Sequence, residues 1–359
     1  MATTWGGFAT QETNDNIGIK GVTQATYDRN LLERALPLLV FDKFGQQRPL
    51  KGRSGMQMVF RRYKSLAAVA SALANEGEPG SGATIEKQEV IVNILQYGNF
   101  TTVTDVLEVA GLDNVILEAT AILGENMGES LDCVYREKLC TGSQFLRVTA
   151  DGNATSVAGT WGVGIKATVA GCLHRQVLDK AINILDRNKA KKFTAMIQGA
   201  PRDNTYPVAA SYWFIIHPDQ VKDLYTTTFS NLTKGSDFTP VEAYASQAQV
   251  MDGEVGKYRS ARIIATTQCK IEAGLGAADS SNLHRETGAA CDVYHNLMFG
   301  KDAYGLVPLD GLNSRSIIHR AGGVSDPLNQ KNTVGWKAAT ACAILNDEHL
   351  VRIEAASLL

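Results

Sequence analysis

MQMVFRRYKSL, from Met56 to Leu66, and VIVNILQYGNFTTVTDVLEV, from Val90 to Val109, decide the reading of this chain. The second run is rich in the β-branched and aromatic residues that strands prefer. Met56, Met58 and Phe60 recur at a spacing of two and therefore share one face. Between the runs lies NEGEPGSGAT, Asn75 to Thr84, whose glycines and proline suit a turn and cannot pack a core. The pattern predicts a long two-stranded projection. An isolated hairpin is marginally stable in water, so a long one has to rest on something else. That is the first physical sign of obligate assembly.

Working outward, Gly111-Leu112-Asp113-Asn114 reads as a turn feeding a helix cap. From Val115 to Leu139 the apolar positions Ile116, Ala119, Leu123, Met127, Leu131 and Val134 keep helical spacing, with Glu118, Glu125, Glu129 and Arg136 on other faces. A helix over that span is a rod of roughly 37 Å at about 1.5 Å per residue. Upstream, the chain is polar to Gly21 and then helix-like through Leu31, Leu32, Ala35, Leu38 and Leu39, which suits an arm reaching a neighbour or a frayed terminus. Downstream, the spacing predicts a second helix over Arg175 to Lys189, with Val177, Ala181, Ile182 and Leu185 on one side. SYWFIIH, Ser211 to His217, reads as a buried strand, and Pro218-Asp219 opens a further helix through Leu224. Thr141 to Gly171 and Tyr258 to Leu309 read as loops and short strands, with a surface excursion from Ala273 to Ala290. Ala338 to Ala355 reads as closing strands, so the class is mixed α and β.

Composition narrows the function classes. The chain has 359 residues, 44% hydrophobic and 20% charged, as folded soluble proteins do. A net charge of −2 shows no global pull toward nucleic acid or an anionic membrane, although a container for DNA need not grip its contents. The six cysteines contain no CxxC pair and read as free buried thiols in a reducing compartment. No basic region followed by an apolar run opens the chain, and no stretch approaches the roughly 18 apolar residues a membrane span needs. These features fit a protein made and used in cytoplasm.

Motifs for chemistry are missing from the sequence. GTWGVG, Gly159 to Gly164, lacks the lysine and hydroxyl that hold phosphate and magnesium, and reads as a loop. The six histidines are scattered singly, without HExxH, and His217 reads as a structural histidine at a strand end. There is no GxSxG elbow. Asp347-Glu348, and Glu86 with Glu89, read as solvated faces. The cluster Arg61-Arg62-Tyr63-Lys64 could touch nucleic acid, but on a projecting strand it better suits contact between subunits. No catalytic residue, cofactor or metal is assigned.

Eight blocks in order resemble the tailed-bacteriophage major capsid proteins related to the coat protein of the N-four-type podoviruses. They are TYDRNLLERALPLLVFDKFGQQRPL (Thr26 to Leu50), FRRYKSLA (Phe60 to Ala67), LQYGNFTTVTDVLE (Leu95 to Glu108) and FIIHPD (Phe214 to Asp219). FTPVEAYA (Phe238 to Ala245), FGKDAYGLVPL (Phe299 to Leu309), SDPLNQKNTVGWKA (Ser325 to Ala338) and ILNDEHLVRIE (Ile344 to Glu354) complete the set. Thr141 to Gly171 and Ala273 to Ala290 are the weakest part of the likeness.

The resemblance implies an α+β, HK-97-like major capsid protein fold. It implies an N-terminal arm over 1–50, an extended loop hairpin over 51–108 and a peripheral domain with its spine helix over 109–173. An axial domain over 174–312 and a peripheral return over 313–359 complete it. The implied function is a shell subunit, not an enzyme, forming hexamers and pentamers of an icosahedral head around double-stranded DNA. Implied partners are further copies of itself, a portal protein, a separate scaffolding protein and a decoration or cement protein, with DNA touched non-specifically on the inner face. No membrane is involved, and the location is the virion, assembled in the host bacterial cytoplasm. Candidate contacts between subunits are Arg61, Arg62, Lys64 and Glu78 on the loop, and Asp326, Asn329, Lys331 and Trp336 on the peripheral domain. For a covalent cross-link, as in some members of the wider fold, Lys64 or Lys87 with Asn329 or Asn332 are conceivable partners, and no spacing supports it. An encapsulin-like compartment shares the fold, but the blocks favour the phage family.

Overall fold

The computed structural model describes residues 39–64, 66, 83–105, 107, 115–148, 154–155, 166–193, 210–225, 238–243, 250–278, 286–287, 290–310, 315–319 and 330–358. The helix expected within the first 38 residues, the loop tip at 77–82 and the glycine loop at 159–164 lie outside them. Among the described residues no helix is long and apolar enough to cross a membrane.

Strands β1 (Gln57–Tyr63) and β2 (Lys87–Asn93) form the antiparallel hairpin, Val59 opposite Ile91 and Arg61 opposite Glu89. The hairpin ends earlier than the sequence suggests. Ile94 is buried, its N–H donates to the Met56 carbonyl, and the chain leaves the hairpin there. The next strand, β3 (Leu95–Thr104), pairs with a different strand altogether, so the run from Val90 to Val109 is not one strand of a single projection. The cause is tertiary: Ile94 enters a core with Phe60, Val92, Val307 and three alanines, and that burial outweighs local continuity.

Helix α1 spans Val115–Leu139, the length that its spacing predicts. Strand β4 (Phe145–Val148) comes after it, then helix α2 (Arg175–Arg187), which buries Val177, Ala181, Ile182 and Leu185 as expected. Strands β5 (Tyr212–Ile216), β6 (Glu254–Tyr258), β7 (Ala261–Ala265), β8 (Lys270–Glu272) and β9 (Val293–Phe299) build most of a nine-stranded sheet. Every residue of β5 is buried because both its faces are covered. Tyr212, Phe214 and Ile216 pack with α2, while Trp213 and Ile215 join the core beneath α1. Pro218 opens a short helical stretch after His217, as the sequence suggests.

Strands β10 (Tyr304–Pro308), β11 (Arg315–His319) and β12 (Lys331–Ile344) form a second sheet with β3 and the two-residue strand Gln46–Gln47. Strand β3 runs along one edge of β12 from Lys331 to Thr340. On the other edge β10 pairs near Ile344 and β11 near Gly335. The last strand, β13 (Leu350–Ala355), leaves for the nine-stranded sheet, between β9 and β4. The closing strands therefore part at the turn before His349, where Asn346 caps with its side chain. The pairing thus links distant parts of the chain: β10 belongs to the second sheet, and β13 to the nine-stranded one.

Helix α1 is fixed against β12 through one amide. Asn126 Oδ1 accepts from both Asn99 Nδ2 and Trp336 Nε1, each at 3.1 Å, and Tyr135 pairs with Thr340 at 2.9 Å. At the other end, Arg136 donates to the Gln268 carbonyl and Lys270 binds Glu137, tying the rod to the first sheet. Truncating Asn126 to Ala leaves the buried Trp336 N–H without its acceptor, whereas the exposed Asn99 amide turns to water, and urea unfolding of the unassembled chain is expected to show a loss of about 1–3 kcal/mol. A loss near zero would mean that water replaces the amide there.

Candidate assembly surface

The alternation of β12 gives it two faces with different covers. Val334, Trp336, Ala338 and Cys342 face α1 and share its core. Ala339, Ala341 and Ala343 face the other way and are covered by the inner face of the hairpin, Phe60 and Val92 with Ile94. This contact is close, since a Cβ on Gly305 would lie 2.9 Å from the Phe60 ring. The hairpin thus rests first on its own chain.

Toward Lys331 that second face loses its cover. Gly335 floors a groove of about 510 Å³ whose walls include Phe100, Ile317, Thr333 and Lys337. Phe100 lies opposite Gly335 in the strand register and is 71% exposed. Strands β3, β11 and β12 contain no acidic residue, while β12 carries Lys331 and Lys337. The hairpin's outer face is likewise open: Val59 and Ile91 are cross-strand neighbours, both exposed, with Tyr63 beyond them. Of the 14 large exposed hydrophobic residues among the described ones, 11 lie between Met56 and Ile122. The hairpin, β3 and the start of α1 therefore hold nearly all of them, and a lone protein seldom exposes so much apolar surface without a partner.

The residues singled out by sequence fare unequally. Arg61 and Lys64 point outward, but Arg61 pairs with Glu89 at 3.3 Å and Lys64 with Glu86 at 2.7 Å, each within the hairpin. Lysine bridges, to Lys64 and Lys87 respectively, hold Glu86 and Glu89 below the usual carboxylate range. Arg62 shares the inner parity with Met58 and Phe60, and its charge adds to burial in pushing the His349 imidazole down. Its half-buried side chain is therefore within electrostatic reach of its own chain. Trp336 is 3% exposed and held by Asn126, which corrects the expectation of an outward contact. Lys331 is exposed at the start of β12. Glu78, Asp326 and Asn329 lie outside the described residues. Asn332 is buried, which removes it as a cross-link acceptor. Sequence reasoning favoured charge and missed Phe100, Val59 and Ile91. An aromatic two residues after Gly98 in a strand-like run was the available signal, but alternation does not say which face stays bare.

Chemistry is scarce elsewhere. Burial pushes the Cys140 thiol up to about 11 and Cys342 to about 12, so neither is a thiolate at neutral pH. All six cysteines are free. His295 stands between Glu272, 3.1 Å from Nε2, and Glu354, 3.7 Å from Nδ1, an arrangement scattered sequence positions had concealed. It is 3% exposed and burial lowers its pKa, while Glu354 also takes Arg147 at 2.6 Å and Arg352 at 3.0 Å. This is a buried ionic knot between β8, β9 and β13, closed to substrate. His217 accepts from the Asp219 N–H and packs on Tyr294, as a structural histidine does. Among the described residues no group of three or more His, Cys, Asp or Glu side chains is arranged to hold a metal ion.

No protein-family model matches the chain, and no curated protein matches it. Solved structures do. The capsid of Ralstonia phage GP4 superposes with a TM-score of 0.60 at 13% identity, covering 87% of each chain. The capsid of the cyanophage P-SCSP1u gives 0.55 at 16% identity, over 89% of this chain and 88% of that one. The head of Helicobacter pylori bacteriophage KHP40 gives 0.52 at 13% identity, over 87% of each. Likeness at such identities establishes architecture, and the chain has the α+β, HK-97-like fold of these phage capsid chains.

Proposed function

We propose that this chain is the major capsid protein of a tailed phage, of the N-four-type kind its sequence blocks resemble, and that it catalyses no reaction. The carrying observation is the bare apolar surface: Phe100 over Gly335 on the sheet, and Val59 with Ile91 on the hairpin. A shell needs heterologous contacts, in which one patch meets a different patch on the next copy. Here the two patches lie on separate elements of one chain. The outer face of one hairpin covers the open end of the neighbour's sheet, completing what the resident hairpin begins on β12. The arm, extended loop, peripheral and axial parts then play the roles their names carry, closing hexamers and pentamers around double-stranded DNA. A portal, a scaffolding protein and a decoration protein belong to the same reading, as does assembly in the host cytoplasm.

Energetics choose between the candidate contacts. Fully covering a Val, Ile or Phe side chain is worth about 1.5–3 kcal/mol, whereas exposed ion pairs contribute little. The apolar residues drive the contact, and Arg61 and Lys64 adjust its register and rate.

Negative-stain electron microscopy of the protein, expressed alone and with its neighbouring genes, is expected to show closed shells or regular tubes in at least one preparation. Small discrete particles in both would end the capsid reading. Phe100→Asp and Ile91→Asp are each expected to abolish particles while leaving the melting temperature of the unassembled chain unchanged. Normal particles from both would move the interface elsewhere. Reversing the sign at Arg62 is expected to lower the stability of the chain itself, because Arg62 lies on the hairpin's inner face; reduced particle yield at unchanged stability would restore it as a contact residue.

A further inference from the structure

The described part of the chain starts at Leu39, and its root is fastened to α1 by one carboxylate. Asp132 is fully buried, and its Oδ1 accepts from the N–H groups of Val40 at 3.1 Å and Phe41 at 2.9 Å. Phe41 is fully buried too, and its carbonyl accepts from the Tyr304 hydroxyl at 2.5 Å. Phe44 continues the root into the aromatic cluster, 4.9 Å from the Trp213 ring and 5.6 Å from that of Phe299. The other oxygen of Asp132, Oδ2, is buried and finds no hydrogen-bond partner. A buried oxygen without a partner is costly for a carboxylate ion and much less so for the neutral acid.

The surroundings sharpen the difference. From the root itself Asp42 brings a second carboxylate, and from α1 Arg136 brings the opposing charge. Tyr135 on the same helix, Tyr304 on β10 and Cys269 in the loop before β8 are the other titratable groups that feel Asp132. None of the three is charged near neutral pH. We infer that Asp132 is a proton-operated clasp, seating residues 39–44 on the spine helix when protonated and loosening them when ionised.

Burial, opposed by the two backbone N–H groups and assisted by Asp42, pushes the Asp132 carboxyl up to about 7. Burial raises Asp42 as well. Once the root lifts away, water reaches Asp132 and its ordinary value of about 3.9 returns. The seated form therefore binds the proton more tightly. Seating is fully favoured below the ordinary value and is lost as pH rises through about 7. Shell assembly is not required for this behaviour, so it stands apart from the capsid reading.

Hydrogen exchange at the Val40 and Phe41 amides of the full-length chain, corrected for intrinsic rates, tests the clasp. Protection is expected to fall on the order of a hundredfold between about pH 5 and about pH 8. Asp132→Asn keeps an oxygen for the two N–H groups and carries no charge, so the pH dependence of its protection is expected to shrink to the part that Asp42 contributes. Asp42→Asn removes the neighbouring charge and is expected to move the wild-type midpoint to lower pH, which gives a readout even if the Asp132 variant does not fold. A flat wild-type profile, an unchanged slope in Asp132→Asn, or an unmoved midpoint in Asp42→Asn would each overturn the clasp.

Discussion

A strand of fourteen residues, Lys331 to Ile344, has two faces to cover, and the described residues supply cover for only one face and part of the other. Most of the architecture around the second sheet follows from that shortage. The spine helix takes the face that includes Trp336 and Ala338, with Asn126 setting the distance between helix and sheet. The hairpin folds back to take Ala339, Ala341 and Ala343. Toward Lys331 nothing among the described residues takes its place, and Phe100 stands in water above a glycine floor. On the proposed reading a second copy supplies the missing cover, because one chain carries both the open sheet face and the open side of the hairpin.

The same economy explains how the titratable groups are used. Arg147, Arg352 and Glu354 close a seam between strands, and His295 is locked beside them. Arg262 pairs with Glu254 under the Trp213 ring, with both side chains almost wholly buried. Buried ion pairs of this sort hold register more than they add stability. They also keep carboxylates and imidazoles away from solvent, where they could meet a substrate. Asp132 is different in kind, because it grips backbone N–H groups of a chain root rather than a partner of fixed opposite charge.

Much of this was legible in the sequence. Helical spacing marked Val115 to Leu139 to the residue, and the apolar side of the second helix was read correctly. YWFII read as a buried strand because an unbroken apolar run needs cover on both faces. Free cysteines and a structural His217 were also visible. The candidate surface was less so. Charges on a predicted projection looked like contacts, yet Arg61 and Lys64 are matched across the hairpin, Arg62 lies on its inner face and Trp336 is core.

Sequence by itself determined the spine helix, the second helix and the buried strand after it, because periodicity and side-chain shape act within a few residues. Tertiary structure alone decided what each strand pairs with. Leu95–Thr104 finds its partner, Lys331–Thr340, at the far end of the chain, and local pattern holds no record of a pairing at that separation. It also decided which face of an alternating strand stays bare, since alternation fixes that two faces differ but not which one the rest of the chain will cover. The exposed Phe100 and the inner-face Arg62 both result from that second choice.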